Sequence, residues 1–371
     1  MRILLITDQP PGSNHSAIEG IFNNHLQPLA EVHLVYFSRE TKVMSVFEHR
    51  VILPYAYRRR GATRALHAAI DLSRYDVVIV RNLFSVLRNV LSARGRYAYK
   101  VGFWESFPHS YRRIYEARLT GKSVFRKTIE YAIRKRLEHR LIAGCDFYLP
   151  ITETFKQLFR GGLTIPYHAL PMGVDFSHLP AEAGHQRVTG PIKFVYTGTI
   201  DRLRQVDLLV TAFTRQRGDF QFDLYTPSDN EVVAWIKAIG DPRINVRPAQ
   251  PRDTLYRTLL HYDVGIGTIP DTLLYRVSSP TKTLEYYALG IPSLINHLPE
   301  YDSLFDDTCA FFCSPTEDSI GQAIKRMLDT DRETMGRMGK RGTSIVKQTR
   351  DYAIMARNLS EFITATLLNK T

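Results

Sequence analysis

Residues 278–296 constrain the fold of this chain most, because their sequence, SSPTKTLEYYALGIPSLIN, predicts a loop, a helix and then a strand. Pro280 suits the first turn of a helix, since its φ is fixed and it has no N–H to donate. Gly290 ends the helix at a position where a positive φ is usual. Residues 293–295 then form a short apolar strand. The stretch therefore directs the N-terminus of a helix at one point in space.

The start of this predicted helix has the residue types of an anion-binding site. The hydroxyls of Ser278 and Ser279 can accept hydrogen bonds from the N–H groups of its first turn. The helix N-terminus carries a partial positive charge, and Lys282 adds a full one. Amides and an ammonium suit a diphosphate, and Glu285, about one turn further on, suits the vicinal hydroxyls of a ribose. The alternative is an amphipathic helix of an α/β protein that binds no ligand.

The stretch resembles the donor-binding motif of the retaining GT-B glycosyltransferases of family 4 (glycosyl transferases group 1). It has the variant form that reads Pro-x-Lys-x-x-Glu-Tyr before a small residue, Gly and Pro. The commoner form has a second glutamate eight positions before Glu285, where this chain has Val277. The resemblance implies that Lys282 acts in catalysis. It also implies that four further residues bind the donor: Ser279, Pro280, Thr281 and Glu285.

Apolar runs and helical patterns alternate along the chain, which predicts doubly wound parallel sheets. Strands are predicted at 1–7, 32–37, 51–54, 77–80, 97–104, 146–152, 193–196, 222–225, 244–246, 263–267 and 293–295. A length of 371 residues favours two domains. The resemblance implies the GT-B fold, in which two Rossmann-like domains flank an interdomain cleft and a C-terminal helix crosses back to the N-terminal domain.

The predicted domain boundaries follow from the same pattern. Residues 1–175 form the N-terminal, acceptor-side domain. Residues 176–191 read as a linker, because Pro, Gly and His occur there without periodicity. Residues 192–346 form the domain that binds the donor nucleotide, and residues 347–371 form the helix that packs back on the N-terminal domain.

Two loops that follow predicted strands extend the candidate donor site. Gly12 lies in the loop after the first strand, and the resemblance implies that this loop faces the donor diphosphate and the acceptor, with Gly12 as a donor-binding residue. Gly198 opens the loop after strand 193–196, where the family has Gly-Arg and then Lys-Gly. In this chain Thr199 takes the arginine position and Arg204 the lysine position, with Arg202 nearby. The resemblance implies that Arg204 first, and Arg202 second, bind the diphosphate, and that Arg204 acts in catalysis together with Lys282. Two solvated arginines in a turn are the alternative.

His109 and Glu105 are the remaining catalytic candidates. Family 4 enzymes often place a histidine near the transferred sugar, after the strand that corresponds to residues 97–104. His109 could reach that region from its loop, and Glu105 could supply a carboxylate there. An exposed loop position without a catalytic role is the alternative for each of them.

We expect no metal ion and no cofactor, with the nucleotide-sugar as substrate. Asp329-Thr330-Asp331 matches a metal-binding DxD, but no predicted strand presents it, so we interpret it as a solvated helix junction. No His/Cys cluster suggests zinc. Cys145, Cys309 and Cys313 have no partners at ligand spacing, which fits a reducing compartment, and the latter two bracket a predicted buried strand. No run approaches the length of a membrane span, so we expect a cytoplasmic protein that is at most peripheral.

The positive charge is concentrated in the first half of the chain. Residues 1–173 carry 26 Lys and Arg against 13 Asp and Glu, whereas residues 174–371 carry 23 against 24. Such asymmetry predicts an anionic partner. The absence of a helix-turn-helix, zinc-finger or RRM signature favours a membrane surface on the cytoplasmic side over nucleic acid.

Much of that charge lies around one predicted helix with a single apolar stripe. The stripe consists of residues four apart: Phe125, Ile129, Ile133, Leu137 and Leu141. The other positions are rich in basic residues: Lys122, Arg126, Lys127, Arg134, Lys135, Arg136 and Arg140. One interpretation packs the stripe into the core and leaves the charges in water. In the other, the charges contact anionic lipid.

The sequence thus predicts a glycosyltransferase that moves a hexose from a nucleotide-sugar to a glycan or a lipid-linked glycan in cell-surface polysaccharide synthesis. The resemblance implies retention: the acceptor attacks from the face that the leaving group departs, and the leaving phosphate takes the proton. Two alternatives remain open. One is a GT-B-fold sugar-nucleotide epimerase, and the other is a non-catalytic protein that binds membranes or nucleic acid.

Overall fold

The computed structural model describes residues 1–59, 61–94, 98–119, 124–181 and 189–368. The chain divides into two compact units. Unit 1 comprises Met1–Met172, Val277–Ser279 and Tyr352–Thr371, and unit 2 comprises Gly173–Arg276 and Pro280–Asp351. Tyr97 of a predicted strand, Lys122 of the basic set and residues 182–188 of the predicted linker lie outside the described residues.

Each unit contains one sheet with helices around it. The strands are β1 (Arg2–Ile6), β2 (Glu31–Ser38), β3 (Ser45–Phe47), β4 (Arg50–Pro54), β5 (Val77–Arg81), β6 (Lys100–Glu105), β7 (Phe147–Pro150), β8 (Ile192–Thr197), β9 (Phe220–Thr226), β10 (Ile244–Pro248), β11 (Val264–Ile266), β12 (Ser293–Asn296) and β13 (Ala310–Cys313). The α-helices are α1 (Thr63–Ala69), α2 (Phe84–Ala93), α3 (His109–Leu119), α4 (Val124–Ala143), α5 (Glu153–Arg160), α6 (Val206–Thr214), α7 (Glu231–Ala238), α8 (Arg252–Leu259), α9 (Leu273–Arg276), α10 (Thr281–Ala288), α11 (Pro299–Asp302), α12 (Glu317–Asp329), α13 (Arg332–Thr349) and α14 (Tyr352–Leu368).

The sheet of unit 1 has seven strands in the order β3-β4-β2-β1-β5-β6-β7. Its neighbouring strands are parallel except for the antiparallel edge pair β3–β4. The central strands β1 and β5 are apolar on both faces and almost wholly buried, as expected of a sheet covered by helices on both sides. The sequence missed β3, because three residues at an edge leave too short a pattern to detect.

Unit 1 also contains the last helix of the described chain. Helix α14 packs on the π-helical segment Ile18–His25, where a Cβ on Gly20 would lie 2.1 Å from Cδ2 of Tyr352. Only a residue without a side chain fits beneath that ring. The hydroxyl of Tyr352 also lies 3.2 Å from Oγ of Ser16. The predicted return of the C-terminal helix to the N-terminal domain is confirmed.

The sheet of unit 2 has six strands in the order β10-β9-β8-β11-β12-β13, and every pair is parallel. Strand β13 is the buried strand predicted between Cys309 and Cys313. Gly290, after α10, has a φ of +83°, as its place in the sequence predicted. Two parallel-sheet α/β units are therefore confirmed.

Helix α4 differs from the first interpretation of its apolar stripe. Four stripe residues are exposed: Phe125 at 78%, Ile129 at 47%, Ile133 at 55% and Leu137 at 51%. The prediction that the stripe packs into the core is wrong for these four, and only Leu141 packs against a core cluster. No helix in the described ranges combines the length and the apolar composition that crossing a bilayer requires.

The inward side of α4 carries Glu138 and Ile142. Nη2 of the buried Arg160 donates to the carboxylate of Glu138 at 2.8 Å. A buried guanidinium needs carboxylate partners, because its desolvation is otherwise uncompensated. This ion pair fixes the rotation of α4, and the apolar stripe consequently points outward.

Candidate active site

The predicted donor-binding residues of unit 2 meet where the strand order of its sheet reverses. The chain runs outward from β8 to β9 and β10 on one side, and from β11 to β12 and β13 on the other. Loops at the carboxyl ends of strands at such a point form a crevice that binds ligands in open α/β sheets. The loop 198–205 follows β8, and its Gly198 has a φ of +123°, which favours glycine.

Helix α10 begins at the same edge of the sheet. The backbone N–H of Thr197, the last residue of β8, donates to Oη of Tyr286 at 2.9 Å. A Cβ on Gly267, just after β11, would lie 2.2 Å from Oγ1 of Thr283. Close approach at both strands therefore places the first turn of α10 over the carboxyl ends of β8 and β11.

Lys282 lies in this first turn and faces β8. Its Nζ is 3.7 Å from the centre of the Tyr196 ring, a cation–π contact. Lys282 is half-buried, and desolvation lowers its pKa to about 7. Burial is the main cause, and the positive charge of Arg204 adds to it. The two cations predicted to bind the diphosphate are therefore neighbours.

Arg204 and Arg202 take different directions from one short turn. The guanidinium of Arg204 pairs with Asp201, whose carboxylate also accepts the Arg204 backbone N–H at 2.9 Å. Arg202 instead pairs with Glu231 of α7 at 2.7 Å, and both of these side chains are exposed. Thr199 lies between β8 and this turn, and its carbonyl accepts from Oη of Tyr196 at 2.9 Å. The geometry therefore separates the two predicted arginines and favours Arg204.

Glu285 lies one turn along α10 from Lys282. Its carboxylate accepts a hydrogen bond from Oη of Tyr256 at 2.9 Å. Burial raises the pKa of Glu285, while the Tyr256 bond and the charge of Arg252 act against that rise. A carboxylate held by one phenol keeps capacity to accept from further hydroxyls.

The residues before α10 are anchored in unit 1. Oγ of Ser279 accepts from the backbone N–H of Met172 at 3.0 Å, and the carbonyl of Val277 accepts from Oγ1 of Thr152 at 3.0 Å. Pro280 is the N-cap residue of α10 and has no side-chain acceptor to offer, and Thr281 opens the helix. An acceptor from outside the helix can therefore meet its first-turn N–H groups.

Unit 1 has its own polar cluster at the reversal of its strand order, between β1 and β5. Arg81 ends β5, is buried, and forms an ion pair with Asp8, which follows β1. Its Nη2 is 3.0 Å from Nε2 of His15 and donates to Oγ of Ser106 at 2.9 Å. The guanidinium lies 4.7 Å from the centre of the Trp104 ring.

Asn82 closes this cluster in a left-handed conformation, with φ +55°. Its Nδ2 donates to Oγ of Ser106 at 2.8 Å, and its Oδ1 accepts the Ser106 backbone N–H at 2.9 Å. A non-glycine residue at positive φ marks a position worth explaining, and such positions concentrate at functional sites. Sequence reasoning missed the cluster of Asp8, His15, Arg81, Asn82 and Ser106.

Two predicted site residues of unit 1 lie near this cluster or in its loops. Gly12 lies in the loop that carries Asp8 and His15; it is exposed, with φ +75°, and a Cβ there would meet nothing within 4 Å. His109 opens α3, with its ring 5.0 Å from that of Phe107. The His109 side chain is exposed at the surface, yet surrounding protein lowers its pKa by partial desolvation, which the charge of Asp8 opposes.

Glu105 is buried in a structural ion pair. Its two carboxylate oxygens accept from Arg160, with Nε to Oε2 at 2.9 Å and Nη2 to Oε1 at 2.6 Å. Oη of Tyr148 donates to the same carboxylate at 2.8 Å. Both oxygens are therefore engaged within unit 1, and a catalytic role for Glu105 stays a prediction that this arrangement does not favour.

The DxD sequence lies at a helix junction, as interpreted from the sequence. Asp329 ends α12, and the carboxylate of Asp331 caps α13 by accepting from the backbone N–H of Thr334 at 2.8 Å. Among the residues that the structure describes, no group of three or more His, Cys, Asp or Glu side chains could hold a metal ion.

Neither protein-family models nor curated proteins match this sequence. Solved structures do match its fold. Sucrose-phosphate synthase from Thermosynechococcus elongatus matches with a TM-score of 0.73 and 14% identity, over 100% of both chains. HepE from Anabaena, in complex with UDP, matches with a TM-score of 0.71 and 12% identity, over 98% of this chain and 100% of that one. The apo form of the lipopolysaccharide outer core galactosyltransferase WaaB matches with a TM-score of 0.65 and 14% identity, over 98% of this chain and 99% of that one.

These matches span essentially the whole of each chain, so they describe the full architecture and not one shared subdomain. The chain has the GT-B fold, as the family resemblance of residues 278–296 implied. At 12–14% identity the likeness concerns the fold alone.

Proposed function

We propose that this protein is a glycosyltransferase of the hexosyltransferase type, which moves a sugar from a nucleotide-sugar donor to a glycan or lipid-linked glycan acceptor. The single observation that carries this proposal is the convergence of Arg204, Lys282 and the N-terminus of α10 at the strand-order reversal of unit 2. Membership of family 4, retention and independence of metal ions are part of the proposal.

Charge development explains why this arrangement suits sugar transfer. When the bond between the sugar and the nucleoside diphosphate breaks, negative charge grows on the β-phosphate. In this proposal that charge is stabilised by Arg204, Lys282, the first-turn amides of α10 and the loop after Gly198. Stabilisation by preorganised donors is effective because they need little reorganisation during the reaction. In the retaining reaction that we propose, the leaving phosphate takes the proton of the acceptor hydroxyl.

Glu285 holds the ribose of the donor in this proposal. Its carboxylate is oriented by Tyr256 and retains lone pairs for two vicinal hydroxyls. The spacing of one helical turn between Lys282 and Glu285 matches a ligand whose diphosphate and ribose are adjacent. Thr199, Ser279, Pro280 and Thr281 complete the candidate donor set, and Arg202 is a weaker member because it pairs with Glu231.

We assign acceptor binding to unit 1. The loop that carries Asp8, Gly12 and His15, together with Asn82 and His109, offers hydroxyl-binding groups at one edge of the sheet. HepE was solved with UDP, and WaaB is a galactosyltransferase of the lipopolysaccharide outer core. Those proteins support a nucleotide-sugar donor and a role in cell-surface polysaccharide synthesis for this chain. A cytoplasmic location on the inner face of the membrane also belongs to the proposal, on the basis of the positive charge of residues 1–173.

A thermal-shift panel of UDP-, GDP- and ADP-sugars tests the donor site. A ligand present at about a hundredfold over its dissociation constant stabilises the folded protein by about 2.7 kcal/mol. We expect one nucleotide series to raise the melting temperature of the wild type and to have little effect on Glu285→Ala. No shift with any series would contradict the proposal.

Acceptor dependence separates transfer from epimerisation. A glycosyltransferase releases nucleoside diphosphate when a glycan acceptor is added. An epimerase changes the sugar nucleotide without an acceptor and without such release. Formation of an epimerised sugar nucleotide in the absence of acceptor would replace the proposed reaction by the alternative.

A further inference from the structure

The outward face of α4 combines apolar side chains with uncompensated positive charge. At about 100° per residue, Phe125, Ile129, Ile133 and Leu137 sweep about 120° of the helix surface. Arg136 and Arg140 fall within that sweep, and both are exposed. Large apolar side chains exposed in a row are unusual on a soluble protein, and such a patch marks an interaction surface.

The acidic residues of α4 do not neutralise this face. Glu130 pairs with Lys127 at 2.9 Å and with Arg126 at 3.3 Å, and Glu138 is turned inward to Arg160. Arg134, Arg136 and Arg140 are exposed, and the helix has no further acid. The partner of this face must therefore supply both negative charge and an apolar interior.

We infer that α4 is a membrane-contact helix, which lies in the plane of an anionic bilayer surface with Phe125, Ile129, Ile133 and Leu137 inserted below the headgroups. Its length of 20 residues spans about 30 Å, enough for several lipids. Arginine stems can lie along the acyl boundary while their guanidinium groups reach the phosphates. Nucleic acid would satisfy the arginines but offers the four apolar side chains no interior.

This inference deepens the proposed membrane association and does not depend on the reaction. It reverses the sequence-based view in which only the charges of this helix met lipid, because the stripe is outside the core. It also gives the rotation of α4 a role. The ion pair between Glu138 and Arg160 lies about 160° around the helix from the middle of the stripe, and so holds the stripe toward the bilayer.

Vesicle sedimentation tests the inference on the full chain. We expect the wild type to sediment strongly with vesicles of equal parts phosphatidylcholine and phosphatidylglycerol, and weakly with phosphatidylcholine alone, where insertion acts without charge attraction. The double variant Ile129→Glu/Ile133→Glu should lower the vesicle partition coefficient more than about tenfold, since insertion of both side chains is lost. Leu368→Glu is the matched control, because Leu368 is 77% exposed in the same unit, and it should sediment as the wild type does.

A second measurement distinguishes insertion from purely electrostatic adsorption. In about 1 M salt, where the Debye length is about 3 Å, adsorption by charge alone should vanish, whereas inserted protein stays partly bound. A tryptophan introduced by Ile133→Trp should shift its emission to the blue more strongly with anionic vesicles than with phosphatidylcholine vesicles. Equal sedimentation of the double variant and the wild type, or complete release of the wild type in salt, would overturn the inference.

Two other outcomes would assign the face to a different partner. If the wild type is a dimer without lipid and the double variant is a monomer, a second copy covers α4 and the inference fails. If the wild type binds a nucleic-acid fragment and no vesicles, it fails as well. Thermal shifts with nucleotide-sugars, measured on the same samples, report the proposed donor site separately. If the wild type binds nucleotide but no vesicles, only the membrane-contact helix is contradicted.

Discussion

The ammonium of Lys282 lies 3.7 Å from the centre of the Tyr196 ring, so the first turn of α10 is held against the end of the central strand β8. The ring provides an attractive surface for the cation but removes part of its hydration. Desolvation and repulsion by the nearby Arg204 both disfavour the charged form of Lys282 in the free protein. A diphosphate relieves both effects, which makes the charge state of Lys282 a sensitive report on binding.

Donor binding should take up a proton above neutral pH. The pKa of Lys282 is lowered to about 7 in the free protein, so the amine is protonated below that pH and mostly neutral at pH 8. A bound diphosphate favours the ammonium and raises this pKa. We expect uptake of nearly one proton per nucleotide at about pH 8 and little uptake at about pH 6, measured by calorimetry in buffers of different ionisation heat. Donor affinity should accordingly fall as the pH rises through 7.

Lys282→Arg and Lys282→Met complete that test. The arginine variant keeps its charge at every pH and should bind without proton uptake. The methionine variant should bind weakly, also without uptake. Undiminished proton uptake in the methionine variant would place the titrating group elsewhere.

Glu285→Ala should weaken donor binding without unfolding the protein. Hydrogen bonds from hydroxyls to a charged group are worth about 1.5–3 kcal/mol, so the dissociation constant should rise roughly ten- to hundredfold. Isothermal titration with the nucleotide identified by the thermal panel measures the change. Glu333→Ala removes an exposed carboxylate of the same unit, which pairs with Arg337, and should leave the affinity unchanged. Equal affinities for all three proteins would remove Glu285 from the site.

Arg204→Ala and Arg202→Ala should differ, although both remove a charge from the same short turn. Arg204 neighbours Lys282, whereas Arg202 pairs with Glu231 at the surface. Loss of one preorganised donor to a developing negative charge lowers kcat about 10²- to 10³-fold, which we expect for Arg204→Ala. Arg202→Ala should retain most of its rate. The opposite ranking in a steady-state assay of nucleoside diphosphate release would exchange their roles.

Glu105→Gln should lower the free energy of unfolding of the protein. Glu105 and Arg160 form a buried ion pair, and breaking such a pair from one side lowers the free energy of unfolding by about 3–5 kcal/mol. Urea unfolding measures the loss, and Glu116→Gln, in the exposed pair with Arg112, should change stability by less than about 1 kcal/mol. A large fall in kcat at unchanged stability would instead support the catalytic role predicted from the sequence.

The donor half of the site could be predicted because its residues lie close together in the chain. Pro280, Lys282 and Glu285 fall within one helical turn and a half, and local rules for helix starts and stops position them. Gly290 was predicted to adopt positive φ on the same basis and does so. Buried parallel strands were also visible, since continuous apolar runs are typical of a sheet covered on both faces.

The polar cluster of unit 1 could not be predicted in this way. Asp8 and Arg81 are 73 positions apart, and they meet only because β1 and β5 are neighbours in the sheet. Strand order is a property of the whole fold, and no local pattern reveals it. The prediction that the apolar stripe of α4 packs into the core was wrong for a similar reason. Periodicity groups residues on one face, but the partner of Glu138 on another helix decides which face is buried.

The fit of Gly20 beneath Tyr352 has a consequence for biosynthesis. Helix α14 completes unit 1, yet about 180 residues separate it from Met172, and a ribosome adding 5–20 residues per second needs roughly 10–40 s to make them. Throughout that interval the core cluster that contains Ile18, Ile21 and Phe22 lacks its α14 members, which have not yet been translated: Tyr352, Met355, Ala356, Leu359 and Ile363. Unit 1 is therefore the first unit to begin synthesis and the last to be completed, and during this interval its incomplete core is accessible to chaperones.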